Sequence, residues 1–454
     1  MNRYLHAAPV AALWLCACTA FPQTLAIKNV SVFDPVTGSL TPGQTILING
    51  DRIEKVGPVK QVKVPRSAET YEIKDSVKAF AIPGLIDAHT HVVHQANAAH
   101  LTPEELLPLH LGYGVTSLRV VGDEIVAQKM AQKYAAGNDD KCPRIFLSGP
   151  MIDSEPPTFK DAGIGITDAS QAADFVRGMK LWGVRTVPLF LGLDRKVGQR
   201  IIEEAHKEGM VVAGQLGKYT AQDAVADGID TVEQIWSVFN FSFPGQLPLS
   251  FAERAKLDLM NEKAVALRDL IAKNKAAVCP QLVMFHNLLL RDQKEVYAHS
   301  DVSLVPRPMR AYWEYYRLQS TLDARSLPMR KAEVEKYKEL TGLMHRQGIL
   351  MLAGTDAPMP FVTPGAALHR ELELLVESGI TPAQALAAAT INVARVLKME
   401  TQLGQIAEGR LADLVILGGN PLEDIRNTRK ISIVIRGGIA LDPAKLVRTV
   451  TANQ

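Results

Sequence analysis

The sequence predicts an α/β protein built on a (β/α)8 barrel, also called a TIM barrel. Short apolar runs alternate with helical stretches through the middle of the chain, which is typical of a parallel sheet covered by helices. Eight such runs over about 300 residues match the size of that barrel. A doubly wound sheet is the alternative, but no Gly-rich phosphate loop follows the first run. The predicted strands are residues 85–88, 117–121, 144–148, 186–190, 211–215, 231–234, 277–283 and 350–354.

Both chain ends have the pattern of β-structure rather than of helices. Alternating runs separated by Asp-Pro, Pro-Gly and Asn-Gly turns follow residue 25, and similar runs return after residue 412. We therefore expect residues 23–82 and 400–454 to form one small β-sandwich domain, and residues 83–399 to form the barrel.

The segment from about residue 287 to residue 347 predicts a helical insertion after the seventh strand. It is too long for a loop and carries opposite charges at helical spacing, such as Lys331 with Glu335. Its aromatic run around Tyr312 and Trp313 favours a packed helix face over a pocket lining.

Composition and charge restrict the classes of partner. The chain has 454 residues, of which 47% are hydrophobic and 22% charged, and its 50 Lys and Arg nearly balance 48 Asp and Glu. This balance gives no broad positive surface for nucleic acid or an anionic membrane. We expect a small-molecule substrate, no nucleic-acid partner and no membrane span, while homo-oligomer formation stays open.

Residues 1–22 resemble a secretory signal peptide. Arg3 begins a basic region, and residues 7–17 form an apolar run too short to span a bilayer. Ordinary cleavage before Phe21 predicts a periplasmic or secreted protein, and lipoprotein anchoring at Cys18 is the alternative. Two cysteines, Cys142 and Cys279, would then remain, either as a disulfide or as buried thiols.

Two motifs carry candidate metal ligands at the predicted barrel mouth. His89 and His91 follow the first strand two residues apart, so both imidazoles point the same way and can reach one cation. Asp356 follows the last strand, where a carboxylate can bind a metal or act as a general base. Capping of the next helix is the alternative role for Asp356.

These motifs, with two others, resemble the amidohydrolase superfamily, and especially its imidazolonepropionase-like and metal-dependent dipeptidase-like branch. The matching segments are residues 83–91, 114–119, 354–357 and 404–415. The resemblance implies hydrolysis of carbon-nitrogen bonds in cyclic amides, amino-acid amides or dipeptides. It also implies one or two divalent metals, often zinc, that activate water.

Three positions depart from the family pattern. Pro188 stands where relatives carry a bridging lysine, and Gln215 and Gln234 stand where they carry histidines. A neutral amide is a poor zinc ligand, and without an anionic bridge two cations repel each other. We therefore expect one divalent metal, zinc, bound by His89, His91 and Asp356, or no metal at all.

Further residues complete the predicted site. His286 is a candidate acid or base, and Gln215 and Gln234 can donate hydrogen bonds to a substrate carbonyl. Arg119 can bind a substrate carboxylate or form a structural ion pair. Tyr219 lies on a predicted loop that can contact substrate. Ordinary surface roles are expected for His94, His100, His110, His206, His299, His345 and His369.

The sequence leaves three functions open. The first is a secreted amidohydrolase-fold enzyme that acts on a small amide, lactam or dipeptide-like substrate with one metal or none. The second is a lyase, isomerase or cyclase that uses His89, His91 and Asp356 as acid and base. The third is a catalytically inactive ligand-binding protein, and fold alone cannot choose among them.

Overall fold

The computed structural model describes residues 24–72, 78–239 and 250–451. The predicted signal peptide, with Cys18, lies outside the described residues. Within the described part of the chain, no helix is long and apolar enough to cross a membrane.

Strands dominate both ends of the chain, and strands and helices alternate between them. In chain order the strands are β1 (Thr24–Asp34), β2 (Ser39–Asn49), β3 (Arg52–Pro58), β4 (Glu69–Glu72), β5 (Phe80–Pro83), β6 (Leu85–Thr90), β7 (Val115–Val120), β8 (Arg144–Phe146), β9 (Met151–Asp153), β10 (Gly163–Gly165), β11 (Thr186–Leu189), β12 (Val211–Gly214), β13 (Thr231–Glu233), β14 (Ala277–Cys279), β15 (Leu414–Leu417), β16 (Ile431–Arg436) and β17 (Ile439–Leu441).

The α-helices follow the parallel strands and continue to the end of the described chain. In chain order they are α1 (His94–Ala98), α2 (Leu107–Gly112), α3 (Ile125–Ala136), α4 (Ala172–Leu181), α5 (Arg195–Lys207), α6 (Ala221–Ala226), α7 (Ile235–Phe239), α8 (Phe251–Ala255), α9 (Glu262–Asn274), α10 (Leu282–Leu289), α11 (Lys294–Tyr297), α12 (Arg307–Gln319), α13 (Leu327–Arg346), α14 (Ala366–Glu377), α15 (Pro382–Ala388), α16 (Ile391–Val396) and α17 (Pro443–Thr451).

The two chain ends share one eight-stranded sheet. Its order is β17-β16-β15-β5-β1-β2-β3, with β4 paired to β1. Strand β5 pairs with β1 on one side and with β15 on the other, so it joins the two ends. Apolar side chains from both ends, including Ile46 and Leu414, form a separate buried cluster. The two-layered sandwich stays a prediction.

The middle of the chain is a mixed α/β fold with parallel sheets. One sheet has the order β6-β7-β8, and the other has the order β10-β9-β11-β12-β13-β14. An isolated parallel bridge between Ser148 and Thr186 links them on one side. On the other side, residues 351–357 lie between β14 and β6, with parallel bridges Val278–Met351 and Thr90–Ala357.

Two predicted strands end more than two residues earlier than expected. The run 277–283 ends its strand at Cys279, because Gln281 has a left-handed backbone (φ 53°) and Leu282 begins α10. The carboxylate of Glu371 accepts the N–H groups of Leu282 and Val283 and so caps that helix. The run 350–354 contributes an isolated bridge at Met351 rather than a regular strand.

Helices α11, α12 and α13 occupy the predicted insertion. Trp313 of α12 is fully buried and donates its indole N–H to the Pro358 carbonyl at 3.3 Å, whereas Tyr315 is 61% exposed. The aromatic run therefore has one face packed towards the segment that follows Asp356.

An ion pair joins the terminal sheet to the parallel sheets. Asp413, just before β15, accepts hydrogen bonds from the Arg144 guanidinium of β8 at 2.7 and 3.2 Å. Its Oδ1 also accepts the Gly437 N–H at 2.7 Å. The Asp413 carboxylate is 2% exposed, so water cannot replace these partners.

We expect Asp413→Ala to lower the free energy of unfolding by about 3 kcal/mol, because it leaves the largely buried Arg144 without its counter-charge. The measurement is the denaturant midpoint. Asp140→Ala, at an exposed carboxylate of the loop after α3, is the control and is expected to change it little. Equal midpoints for wild type and Asp413→Ala would contradict the role of this pair.

Candidate active site

His89, His91 and Asp356 form one buried group, here called the three-donor cluster. One ligand atom from each lies within 4.8 Å of the others, and the residues are 2%, 6% and 2% exposed. His89 lies near the end of β6 and His91 directly follows the strand, two residues on, so the two side chains share a face. The left-handed Asp356 (φ 64°) donates its backbone N–H to the His89 carbonyl at 2.8 Å, which holds the carboxylate beside both imidazoles.

Glu233 fixes the tautomer of His89. The two side chains meet at 2.8 Å between His89 Nδ1 and Glu233 Oε2. Burial raises the pKa of Glu233, but the positive charge of Arg119 and the bond from His89 lower it to about 2. An ionised carboxylate only accepts, so Nδ1 carries the proton and Nε2 presents its lone pair towards Asp356 Oδ1, 3.9 Å away.

A backbone carbonyl fixes the tautomer of His91 in the same way. His91 Nδ1 lies 2.9 Å from the Gly122 carbonyl, which can only accept, and its Nε2 lies 3.0 Å from Asp356 Oδ1. Burial lowers the pKa of His91, but hydrogen bonds and charges from Asp123 and Asp356 raise it to about 10. Burial raises the pKa of Asp356, but His91, His89 and Gln234 lower it to about 2.

These bonds create a place for one positive charge. Both Nε2 atoms and one oxygen of an ionised carboxylate point at the same space, and three lone pairs together are unfavourable unless a proton or a metal ion lies among them.

The three residues that are expected to depart from the family pattern lie in or directly after neighbouring strands. Pro188 is buried in β11, and Gln215 and Gln234 directly follow β12 and β13. Gln234 donates its amide N–H to Asp356 Oδ2 at 2.8 Å, so it orients the carboxylate. Among the described residues, the three-donor cluster is the one group of three or more His, Cys, Asp and Glu side chains placed to hold an ion.

Arg119 and Tyr219 lie inside the protein rather than facing a substrate. The fully buried Arg119 guanidinium donates to the Ala88 carbonyl, Glu233 and Thr231. Tyr219 is also fully buried, and its hydroxyl donates to Asp227 at 2.9 Å. Of the two roles predicted for Arg119, the structure shows the structural ion pair. The Tyr219 loop carries its ring into the core, because Gly198 of α5 leaves room for it.

His286 lies apart from the three-donor cluster. It begins the second turn of α10, and its Nδ1 lies 2.8 Å from the Asn287 side-chain oxygen. It lines a cavity of about 490 Å³ with His299, Arg370 and Arg429, which the cluster does not line. Burial lowers the pKa of His286, which keeps the ring neutral.

Two residues that the sequence reasoning did not select stand beside the cluster. His94, expected at the surface, is 7% exposed, and its ring lies edge-on to that of His91 with centroids 5.8 Å apart. Asp123 accepts the backbone N–H groups of Val92, Val93 and His94, so it anchors the loop after β6. The spacing His89, His91, His94 was the available signal for His94.

The disulfide left open in the sequence does not form. Both Cys142 and Cys279 are buried free thiols.

Known proteins resemble this chain over most of its length. The imidazolonepropionase of Legionella pneumophila (strain Paris) is 24% identical over 413 residues, which cover 86% of this chain and 91% of that protein. The chain also matches adenine deaminases, but it spans only 24% of the length of the one from Desulforamulus reducens.

Solved structures share the fold. A bottromycin amidohydrolase superposes with a TM-score of 0.74 at 20% identity, covering 95% of this chain and 90% of that one. A Xaa-Pro dipeptidase with bound methionine in its active site superposes with a TM-score of 0.68 at 18% identity, covering 92% and 99%. At these identities the similarity establishes the fold alone.

The family assignment comes from the sequence as a whole. The model of the amidohydrolase family matches residues 80–440, a range that begins at β5, contains the three-donor cluster and ends in β17. The chain therefore belongs to the amidohydrolase family.

Proposed function

We propose that this protein hydrolyses a carbon-nitrogen bond in a small amide, lactam or dipeptide-like substrate. The observation that carries the proposal is the convergence of two imidazole Nε2 atoms and one ionised carboxylate on a single buried point. The similar proteins include an imidazolonepropionase and a Xaa-Pro dipeptidase, and both names describe enzymes that act on carbon-nitrogen bonds.

We further propose that the parallel strands close into a (β/α)8 barrel with the cluster at its mouth. The Ser148–Thr186, Val278–Met351 and Thr90–Ala357 bridges support closure, since the first links the end of β8 to β11 and the other two link β14 to β6 through residues 351–357. His89, His91, Gln234 and Asp356 all lie at or just beyond the carboxyl ends of parallel strands, where active sites of such barrels are found.

The donor set fits one divalent metal ion. Two imidazole Nε2 atoms, once His91 has released its proton, and a carboxylate oxygen are ligands that zinc accepts in catalytic sites. His89, His91 and Asp356 would hold the ion, which would polarise the substrate carbonyl and activate water. A second ion lacks ligands, because Pro188 has no donor atom and Gln215 and Gln234 are neutral amides.

The residues around the cluster prepare it for this chemistry. Glu233 and the Gly122 carbonyl hold both imidazoles in the tautomer that presents Nε2. The Gln234 amide fixes Asp356 Oδ2, so the carboxylate is oriented to accept the proton of an attacking water. In this proposal the partly exposed Gln215, directly after β12, donates a hydrogen bond to a substrate carbonyl oxygen.

We expect Asp356→Asn to lower kcat/KM on an amide and dipeptide panel by roughly 10³-fold, because the amide cannot accept the water proton. The same panel, run in heavy-oxygen water, tests the reaction class. Hydrolysis places the label in the product carboxyl group, whereas a lyase, isomerase or cyclase leaves the product unlabelled. Full activity of Asp356→Asn would contradict the proposal.

We expect protein purified without chelator to contain about one zinc per chain by elemental analysis. His91→Ala should lose the metal, while His206→Ala, at a half-exposed histidine paired with Asp230, should retain it. About two metals per chain would contradict the single-ion site. No metal after incubation with zinc would contradict the presence of an ion in the mechanism.

We also propose that residues 1–22 direct export to the periplasm or the medium, with lipid attachment at Cys18 as the alternative product. Mass spectrometry of the mature N-terminus from cell fractions is the measurement. We expect a chain that begins near Phe21, or a lipid-modified Cys18. An intact chain beginning at Met1 in the cytosol would contradict export.

A further inference from the structure

His94 lies between the three-donor cluster and an aromatic wall. It follows His91 by three residues at the start of α1, and the two rings meet edge to face. On its other side the Phe159 ring approaches it with centroids 4.7 Å apart. Phe159 is 37% exposed, so the ring that covers His94 also borders solvent.

Asp161 fixes the form of the His94 ring. Its Oδ2 lies 2.7 Å from His94 Nδ1. Since the carboxylate accepts, Nδ1 carries a proton, and in the neutral form of the ring Nε2 therefore carries the lone pair. This arrangement repeats the one at His89, where Glu233 accepts from Nδ1, but here the carboxylate is half exposed.

The Nε2 atom of His94 is an acceptor without a donor. It is buried and has no hydrogen-bond partner among the residues that the structure describes. A buried polar atom left unpaired is costly, so the position favours a ligand that supplies an N–H group. The three-donor cluster does not include this atom, so His94 is free for a different task.

The surroundings of His94 are aromatic and acidic. The ring of Phe190, at the end of β11, lies 5.6 Å from that of Phe159. Burial, Tyr316 and the charge of Asp161 raise the pKa of Tyr312, which places the Tyr312 phenol within electrostatic reach of that carboxylate. Aromatic faces beside a carboxylate are the usual environment for a protonated amine.

We propose that His94, Asp161 and Phe159 form a subsite for a protonated amino group of the substrate. An ammonium N–H donates to His94 Nε2, its charge is balanced by Asp161, and Phe159 covers its carbon chain. This inference rests on the proposed function, because it selects amides and dipeptide-like compounds with a free amine among the substrates considered above.

Binding of ω-amino hydroxamates to zinc-loaded protein tests the subsite without requiring turnover. The probes are the hydroxamates of glycine, β-alanine and 6-aminohexanoic acid, each compared with its N-acetyl form by titration calorimetry near neutral pH. The hydroxamate end is a metal ligand, and the three chain lengths sample the distance to the amine. We expect at least one of the three free-amine probes to bind about tenfold more tightly than its own N-acetyl form.

Two variants remove the subsite, and a third variant serves as the control. Asp161→Asn removes the charge, and His94→Phe keeps a ring against Phe159 but removes the acceptor. Both should abolish the preference for the free amine and leave binding of the N-acetyl probes unchanged. Asp174→Asn, at an exposed carboxylate of α4 paired with Arg177, should keep the preference. A melting curve confirms that each variant is folded.

The outcomes separate this inference from the proposed function. If the N-acetyl probes bind and lose binding in Asp356→Asn, but free amines gain nothing, the amine subsite is wrong and the hydrolase proposal remains. A preference that survives in both Asp161→Asn and His94→Phe also overturns the subsite. If no probe binds to zinc-loaded protein, both proposals fail.

Discussion

The candidate site depends on where the two imidazole protons are held. A histidine can place its proton on either nitrogen, and only one choice directs both Nε2 lone pairs at Asp356. Glu233 makes that choice for His89, and the Gly122 carbonyl makes it for His91. Arg119 then keeps Glu233 ionised, and Asp123 anchors the loop that carries His91. The buried charged residues around the cluster therefore serve to orient its histidine side chains.

Gln234, one of the residues expected to depart from the family pattern, gains a role from this view. Gln234 does not leave a gap where a histidine is expected, because its amide holds the second oxygen of Asp356. On the proposal of a single ion, Gln234 holds the Asp356 carboxylate towards the space between His89 and His91, so that one positive charge completes the site.

Periodicity and local motifs predicted the parallel α/β fold and the members of the cluster. Alternation places His89 and His91 on one face of β6, and a carboxylate after the last apolar run falls beside them. The strand at 277–283 was predicted too long because apolar residues of a buried helix start look the same as those of a strand. Nothing in the sequence indicates that Gln281 adopts the left-handed backbone that ends the strand.

Long-range contacts were beyond prediction from the sequence. Arg119 looked available for a substrate, but its partner Glu233 is more than a hundred residues away in the chain. Tyr219 looked like a loop residue, but the room left by Gly198 draws its ring into the core. His94 was set aside because its partner Asp161 lies in a loop between two short strands that the pattern did not reveal.

The position of residues 351–357 also affects how the chain folds. This segment enters between β14 and β6, and Thr355 donates to Asp87 across 268 positions of sequence. Strand β5 likewise cannot complete its pairing before β15 is present, and β15 follows it by more than 300 residues. Contacts of such separation must close large loops before they contribute any stability. Strand β6 can therefore reach its final pairing only after residues 351–357 have been synthesised, and the terminal sheet only after β15 has been.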